Sequence, residues 1–395
     1  MKSNVLIISY VFPPSIEVGG RRWDKFARAI YRNGGSVTIL SSDMGIPNTL
    51  IGNKPNYIKS HHIIKNKYPE ILNTSPTTIP DKIKYRLALK KVKRSTTGNY
   101  YDRGIYAKKD FLEGLKGILD QDQIDTVVVT GAPFSLLYFV SLLKDDFNFR
   151  LISDIRDPWT FGGSYGIGKI EKSRLLEENR REKLVFEQSD IITLPNESMR
   201  YIYQDKYKTN AHKTKVLLHG YDEQEFKNIL PNTKKSYIKW VYGGTLYEDC
   251  LETYQKLFQY VGNHEFISLD VYGRNSLSIN ESYMSVAFKD LLNPSAFNTV
   301  CCKMDCFIWV FPEKFRNYLS TKLFELIRCR IPIVYIGFEG DFSHFIEKNN
   351  LGVFIIENEF LENIDIVEVK LKELCYNSTF PIQDYSIDEI IKAIL

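Results

Sequence analysis

The chain has 395 residues, 44% hydrophobic and 25% charged, which suits a globular protein too long for one ordinary core, so two domains are expected. No apolar run reaches the ~18–20 residues of a membrane-spanning helix, and the first strand begins within a few residues of Met1, so neither a span nor a signal peptide is expected and the reading is cytoplasmic. A formal net charge of +4 is too small to argue for nucleic acid; six cysteines without regular spacing predict a reducing compartment, and Cys301, Cys302 and Cys306 lack the His/Cys partners of a zinc site.

Val5–Ser9 is an apolar, β-branched run of the kind a parallel sheet buries on both faces. After Pro13-Pro14 come Gly19-Gly20 and a helix with Trp23, Phe26, Ala27, Ile30 and Tyr31 at i, i+3, i+4, i+7 and i+8. Gly34-Gly35 stops that helix, and Val37–Leu40 resumes the sheet. The loop at the strand end and helix start is where an open α/β sheet binds its ligand. Free amides and the helix dipole favour a phosphate there. Gly19 and Gly20 have no side chain to block a diphosphate, and Arg21 and Arg22 could aim guanidinium groups at it. No G-x-G-x-x-G and no P-loop pattern exists, which argues against a dinucleotide and against Walker-type phosphate binding.

Asp43–Asp81, rich in Asn, Pro, Thr and Lys, reads as a long surface excursion. Between Lys82 and Arg94 lie seven bases and no acid: Lys82, Lys84, Arg86, Lys90, Lys91, Lys93 and Arg94. As a helix this segment carries an apolar stripe of Tyr85, Ala88, Leu89 and Val92. The stripe either rests on an anionic membrane surface or packs on the protein's own domain. Lys108–Leu119, Phe134–Lys144, Lys172–Gln188 and Asn196–Tyr203 read as helices. Val127–Thr130, Leu151–Ile155, Ile191–Leu194 and Val216–Leu218 read as strands, giving parallel βαβ units. Asp120–Asp122 (DQD) precedes a strand and should face away from the catalytic edge. No metal is expected. Ser153–Trp159 (SDIRDPW) follows a buried strand, so Asp154, Arg156 and Asp157 form either a substrate site or an internal ion-pair lattice.

Asn228–Ser236 reads as a linker. Alternation then restarts with Trp240–Gly243, helix Glu248–Val261, Ile267–Tyr272, Cys306–Val310, helix Thr321–Cys329 and Ile331–Ile336. Asp341–Lys348, Val353–Ile356, Leu361–Leu374 and a closing helix Ser386–Leu395 follow. The architecture expected is two facing doubly wound α/β domains, 1–230 and 231–380, with 381–395 packing back on the first and a ligand cleft between the halves. In NYLSTK (Asn317–Lys322), Ser320 or Thr321 can cap the helix and Lys322 sits in its first turn, a counter-charge for a diphosphate. Glu325, on the apolar side, can accept from two ribose hydroxyls or serve as a plain dipole-pairing acid.

Taken together, these segments resemble the retaining, sugar-nucleotide-dependent glycosyltransferases of family 4, which have the two-domain GT-B fold. The matching pieces are Tyr10–Pro14 with Gly19-Gly20 and Arg22, then TGAPFS (Thr130–Ser135), DIRDPW (Asp154–Trp159), LPNESM (Leu194–Met199) and HGYD (His219–Asp222). YGGTLY (Tyr242–Tyr247), VYGR (Val271–Arg274) and STKLFELIRCRIPIV (Ser320–Val334) follow in the same order. The likeness implies sugar transfer with retention from a nucleotide diphosphate sugar to a glycan or polyprenyl-linked acceptor, as in O-antigen or capsule synthesis. It implies phosphate contacts from the glycine loop and a ribose contact from Glu325. It places Gly244, Thr245, Arg274, Asn317, Ser320, Thr321 and Lys322 around the donor, with no metal or other cofactor. A lipid-linked acceptor strengthens the expectation that the basic segment meets a membrane, peripherally and at its inner face.

The chain departs from that family at three points. Asn317 stands where an E-x7-E pair has its first Glu. TLYEDCL (Thr245–Leu251) lacks the usual Arg and Lys, which Arg274 or Lys322 would replace. His219 occupies the place of an Asn. Two alternatives therefore stay open: a non-catalytic subunit of the same fold, and a sugar-nucleotide epimerase.

Overall fold

A computed structural model describes residues 3–15, 20–46, 54–208, 212–226, 238–273, 277, 279, 283–374 and 376–395. The chain divides into two compact units, Met1–Leu217 with Ile391–Leu395, and Leu218–Ile390. The seam thus falls ahead of Asn228–Ser236, which lies outside the described residues.

The first unit is built on seven parallel strands: β1 Asn4–Ser9, β2 Ser36–Ser42, β3 Ser60–Ile64, β4 Thr126–Gly131, β5 Arg150–Ile155, β6 Ile191–Leu194 and β7 Thr214–Val216. Their order across the sheet is β3-β2-β1-β4-β5-β6-β7. Val5–Ile8 and Val127–Val129 are fully buried, as expected of central strands covered by helices on both faces. Those helices are α1 Arg21–Arg32, α2 Ile79–Ser95, α3 Lys108–Gln121, α4 Phe134–Ser141, α5 Lys172–Gln188 and α6 Glu197–Tyr207. On α1, Trp23, Phe26, Ala27 and Ile30 are buried, but Tyr31 is 53% exposed, so the buried face is narrower than the periodicity suggests. Gly34, at φ +83°, ends α1, and the Gly35 amide donates to the Ile30 carbonyl at 2.9 Å, a left-handed stop that suits glycine.

The second unit has six parallel strands: β8 Lys239–Gly243, β9 Ser268–Tyr272, β10 Val286–Lys289, β11 Cys306–Val310, β12 Ile333–Gly337 and β13 Gly352–Ile356. Their order is β10-β9-β8-β11-β12-β13. Its helices are α7 Leu251–Gly262, α8 Pro294–Cys301, α9 Thr321–Cys329, α10 Asp341–Lys348, α11 Glu357–Glu362, α12 Ile366–Glu373 and the start of α13 Ile387–Lys392. Strand order reverses between β1 and β4 in one unit and between β8 and β11 in the other. Such reversals open a crevice beyond the carboxyl ends of the strands.

Three elements, β3, β10 and α8, are additional to the sequence reading. The Asp43–Asp81 excursion contains β3, a half-exposed edge strand whose SHHII sequence lacks the apolar signature of a buried one. Short edge strand β10 and helix α8, which Asn293 caps by accepting from the Ala296 amide at 2.9 Å, are also additional. Between α11 and α12, within the segment Leu361–Leu374, the Asn363 side chain accepts from the Asp365 amide at 3.1 Å. That local turn competes with helix continuation.

Gly20 opens α1 against the chain's own backbone: a Cβ there would lie 2.6 Å from the Val11 carbonyl oxygen. Gly20→Ala is therefore expected to destabilise the protein by about 1–3 kcal/mol through overpacking, read by urea denaturation. An unchanged midpoint would contradict this packing role.

Candidate functional site

In the first unit the switch point holds a cavity of about 300 Å3 just beyond β1 and β4. Its walls include Tyr10 and Val11 after β1, Ala132, Pro133 and Phe134 after β4, and Tyr68, Tyr101, Arg103 and Tyr165 from the loops. The Tyr10 hydroxyl donates to Asn66 Oδ1 at 2.8 Å. Asp102, largely buried, also lines the cavity, and accepts from the Gly104 amide, the Ser135 amide and the Ser135 hydroxyl at 2.9, 2.9 and 2.6 Å. Burial raises its pKa and the Ser135 bonds oppose that shift. Aromatic faces beside polar hydrogen-bonding groups are the chemistry of a sugar-binding surface, since a pyranose has apolar C–H faces and a polar rim. Apart from Tyr10 and TGAPFS, these residues were missed. The available signal was the run Asn99–Tyr106, NYYDRGIY, with three tyrosines around one Asp-Arg pair.

The SDIRDPW segment splits in two. Asp154, inside β5, is 0% exposed. Its Oδ1 accepts from Arg22 Nη2 at 3.2 Å and Thr193 Oγ1 at 2.8 Å. Its Oδ2 accepts from Trp23 Nε1 at 2.7 Å and Thr130 Oγ1 at 2.9 Å. Arg22 also donates to the Leu217 carbonyl at 2.7 Å, and burial lowers its pKa against the pull of Asp154. These two charges therefore lie inside an internal lattice that ties α1 to β4, β5 and β6, and Arg22 is engaged there rather than aimed at a phosphate. Arg156 and Asp157 are half-buried beyond the strand end. Arg156 Nε donates to the Gly131 carbonyl at 2.9 Å, and Asp157 accepts from the Tyr165 hydroxyl at 2.7 Å, which brings both beside the cavity. Gly19 lies outside the described residues.

In the second unit the switch point gathers the ends of β8 and α9. Gly244 follows β8 at φ +141°, a conformation that side chains resist. Its amide donates to the Tyr272 carbonyl at 2.9 Å. Lys322, in the first turn of α9, donates to the Gly243 carbonyl. Its Nζ lies 3.0 Å from where a Gly244 Cβ would stand and 5.6 Å from the Phe297 ring centroid. Thr321 Oγ1 and His219 Nδ1 are 3.0 Å apart, so HGYD meets the start of α9. Ser320 holds the N-cap position, yet its hydroxyl makes no capping bond and has no hydrogen-bond partner among the described residues. Glu325 is 3% exposed, one turn further along on the Lys322 side. Burial pushes the neighbouring Cys301 thiol up, Lys322 opposing and Glu325 adding to the shift. Thr245 is exposed, and its carbonyl accepts from the Tyr242 hydroxyl at 2.7 Å. Asn317 accepts from the Asp341 amide at 3.1 Å, capping α10. Arg274 lies outside the described residues. Among the described residues no cluster of His, Cys, Asp and Glu suits a metal ion.

The basic segment forms α2, where Lys82, Lys84, Arg86, Lys90, Lys91, Lys93 and Arg94 are all exposed. Its expected apolar stripe faces inward: Val92 is buried with Tyr68 and Tyr100, and Leu89 packs beside them. That stripe therefore faces its own unit, with Val92 buried and Tyr85, Ala88 and Leu89 half-buried. No helix among the described residues is long and apolar enough to cross a membrane.

No protein-family model and no curated protein matches the chain. Solved structures do. Sucrose-phosphate synthase from Thermosynechococcus elongatus is similar over 100% of this chain and 95% of its own, with TM-score 0.59 and 12% identity. A glycosyltransferase from Rickettsia africae is similar over 99% and 96%, with TM-score 0.61 and 12% identity. Anabaena Alr3699/HepE, solved with UDP and glucose, is similar over 99% and 98%, with TM-score 0.57 and 11% identity. The likeness is one of fold, and the fold is GT-B.

Removing the Asp154 carboxylate leaves four buried donors without their acceptor. Asp154→Ala is expected to cost roughly 3–5 kcal/mol of unfolding free energy, measured by urea denaturation. A loss below about 1 kcal/mol, the range of exposed ion pairs, would contradict the lattice.

Proposed function

We propose that the protein is a glycosyltransferase. It breaks the bond between the anomeric carbon and the diphosphate of a nucleotide sugar, and forms a glycosidic bond to a hydroxyl of a glycan or lipid-linked acceptor. The hydroxyl proton leaves with the transfer, and the nucleoside diphosphate is released. The observation that carries this reading is the position of Lys322. Its ammonium stands at the end of β8 beside Gly244 and at the N-terminus of α9. A cation and a helix dipole there favour a diphosphate and stabilise its charge as it departs, a role for which no metal is needed. Glu325 is assigned to the ribose, and Ser320 and Thr321 to the phosphates.

The aromatic cavity of the first unit suits the acceptor sugar, with Arg156 and Asp157 beside it. Asp154 acts as a positioning residue. Retention of anomeric configuration, hexose as the transferred sugar and a role in surface polysaccharide assembly rest on the family 4 resemblance. A second reading, a nucleotide-binding subunit without transferase activity, is favoured by Asn317, whose carboxamide oxygen is engaged with the start of α10.

Calorimetry with UDP and GDP tests the donor site. The wild-type protein is expected to bind one of them, and Lys322→Gln to bind it about 10- to 100-fold more weakly, matching the roughly 1.5–3 kcal/mol of a hydrogen bond to a charged group. Binding of neither nucleotide, or equal affinity in the variant, would remove the assignment. Slow donor hydrolysis without acceptor separates the enzyme from the silent subunit, in which nucleotide binds but no sugar is released.

A further inference from the structure

With its predicted stripe turned inward, α2 keeps a second one on the opposite face. Ile79, Ile83 and Leu87 recur at i, i+4 and i+8 and are 75%, 55% and 63% exposed. At about 100° per residue they span roughly 80° of the helix surface. On the same projection Lys90 and Arg94 continue that arc toward the C-terminus, while Arg86 flanks it on one side and Lys84 and Lys91 on the other. Of the seven bases, Lys93 pairs with Glu171 and leans on Tyr100. The other six make no ion pair among the described residues. Leu87, Lys90, Lys91, Arg94 and Ser95 line a shallow basin of about 480 Å3, wide enough for a phosphate-bearing headgroup. The one acid of the helix, Asp81, accepts from the Thr78 hydroxyl at 2.6 Å at the far end.

Exposed aliphatic side chains in a line, bordered by cations of one sign, match the layering of an anionic lipid surface. Acyl chains meet the aliphatics, and headgroup phosphates meet the bases. A duplex nucleic acid has no counterpart for the aliphatic line, and a protein partner would need an unbroken acidic rim around an apolar groove.

We propose that this outward face of α2 docks the protein on an anionic membrane, with Ile79, Ile83 and Leu87 entering the interface and Lys90, Lys91 and Arg94 holding lipid phosphates. The proposal stands whether or not the transferase reading does.

Co-sedimentation of the full chain with sucrose-loaded vesicles tests it. Binding is expected to vesicles of mixed phosphatidylglycerol and phosphatidylcholine, to weaken with salt, and to be weak on phosphatidylcholine alone. A Lys90→Gln, Lys91→Gln, Arg94→Gln triple variant is expected to lose about 100-fold in partitioning. Ile83→Ser with Leu87→Ser is expected to lose at least 10-fold while keeping its circular dichroism and its nucleotide affinity. Because these side chains are exposed, both variants should fold. Equal binding to neutral vesicles, unchanged partitioning of either variant, or lipid-independent self-association lost in the Ile83/Leu87 variant would overturn the proposal.

Discussion

Every strand in both sheets runs in the same direction as its neighbours, and that single constraint fixes where chemistry can occur. A parallel sheet must be covered on both faces, so its strands are apolar and its polar residues collect at the ends. All carboxyl ends of a sheet fall on one edge, and strand order reverses at one place along it. In the second unit that place lies between β8 and β11, where Gly244, Lys322 and the start of α9 come together. In the first unit it lies between β1 and β4, where the tyrosine-lined cavity opens. The segments that resemble family 4 motifs are mostly the loops at these edges.

The two prominent charged groups differ in what surrounds them. Asp154 is enclosed: four donors from three elements, α1, β4 and β6, fill its two oxygens, and a buried carboxylate in that setting holds α1 in place. Lys322 donates to the Gly243 carbonyl and lies beside the Phe297 ring, in the first turn of α9. The first arrangement is internal to the fold, whereas the second lies at the strand-end edge to which the donor diphosphate is assigned by the proposed function.

Alternating apolar runs and helical periodicities made the parallel units legible, because burial of central strands leaves a strong signature in Val5–Ile8, Val127–Val129 and Cys306–Val310. Edge strands β3 and β10 carry little apolar pattern, so neither could be read from periodicity. At the site, the sequence brought Lys322 and Glu325 into one helix turn and set Asp154 at a strand end. It did not reveal which way side chains face. Arg22 turns inward to Asp154, Asn317 turns to α10, and α2 turns its expected stripe toward its own unit. Direction is decided by packing between segments far apart in the chain, such as Arg22 with Leu217 and Thr321 with His219. Tyr68, Tyr101, Arg103 and Tyr165 reach one cavity from loops with no shared motif, so no local pattern announces them.

The most direct test is crystallographic: difference density for a nucleoside diphosphate in crystals grown with UDP or GDP. The account predicts the diphosphate at the start of α9, with oxygens within hydrogen-bonding distance of Lys322 Nζ and the base and ribose beyond β8. Density for the nucleotide beside α1 of the first unit, with Lys322 still on the Gly243 carbonyl and no phosphate near it, would contradict it.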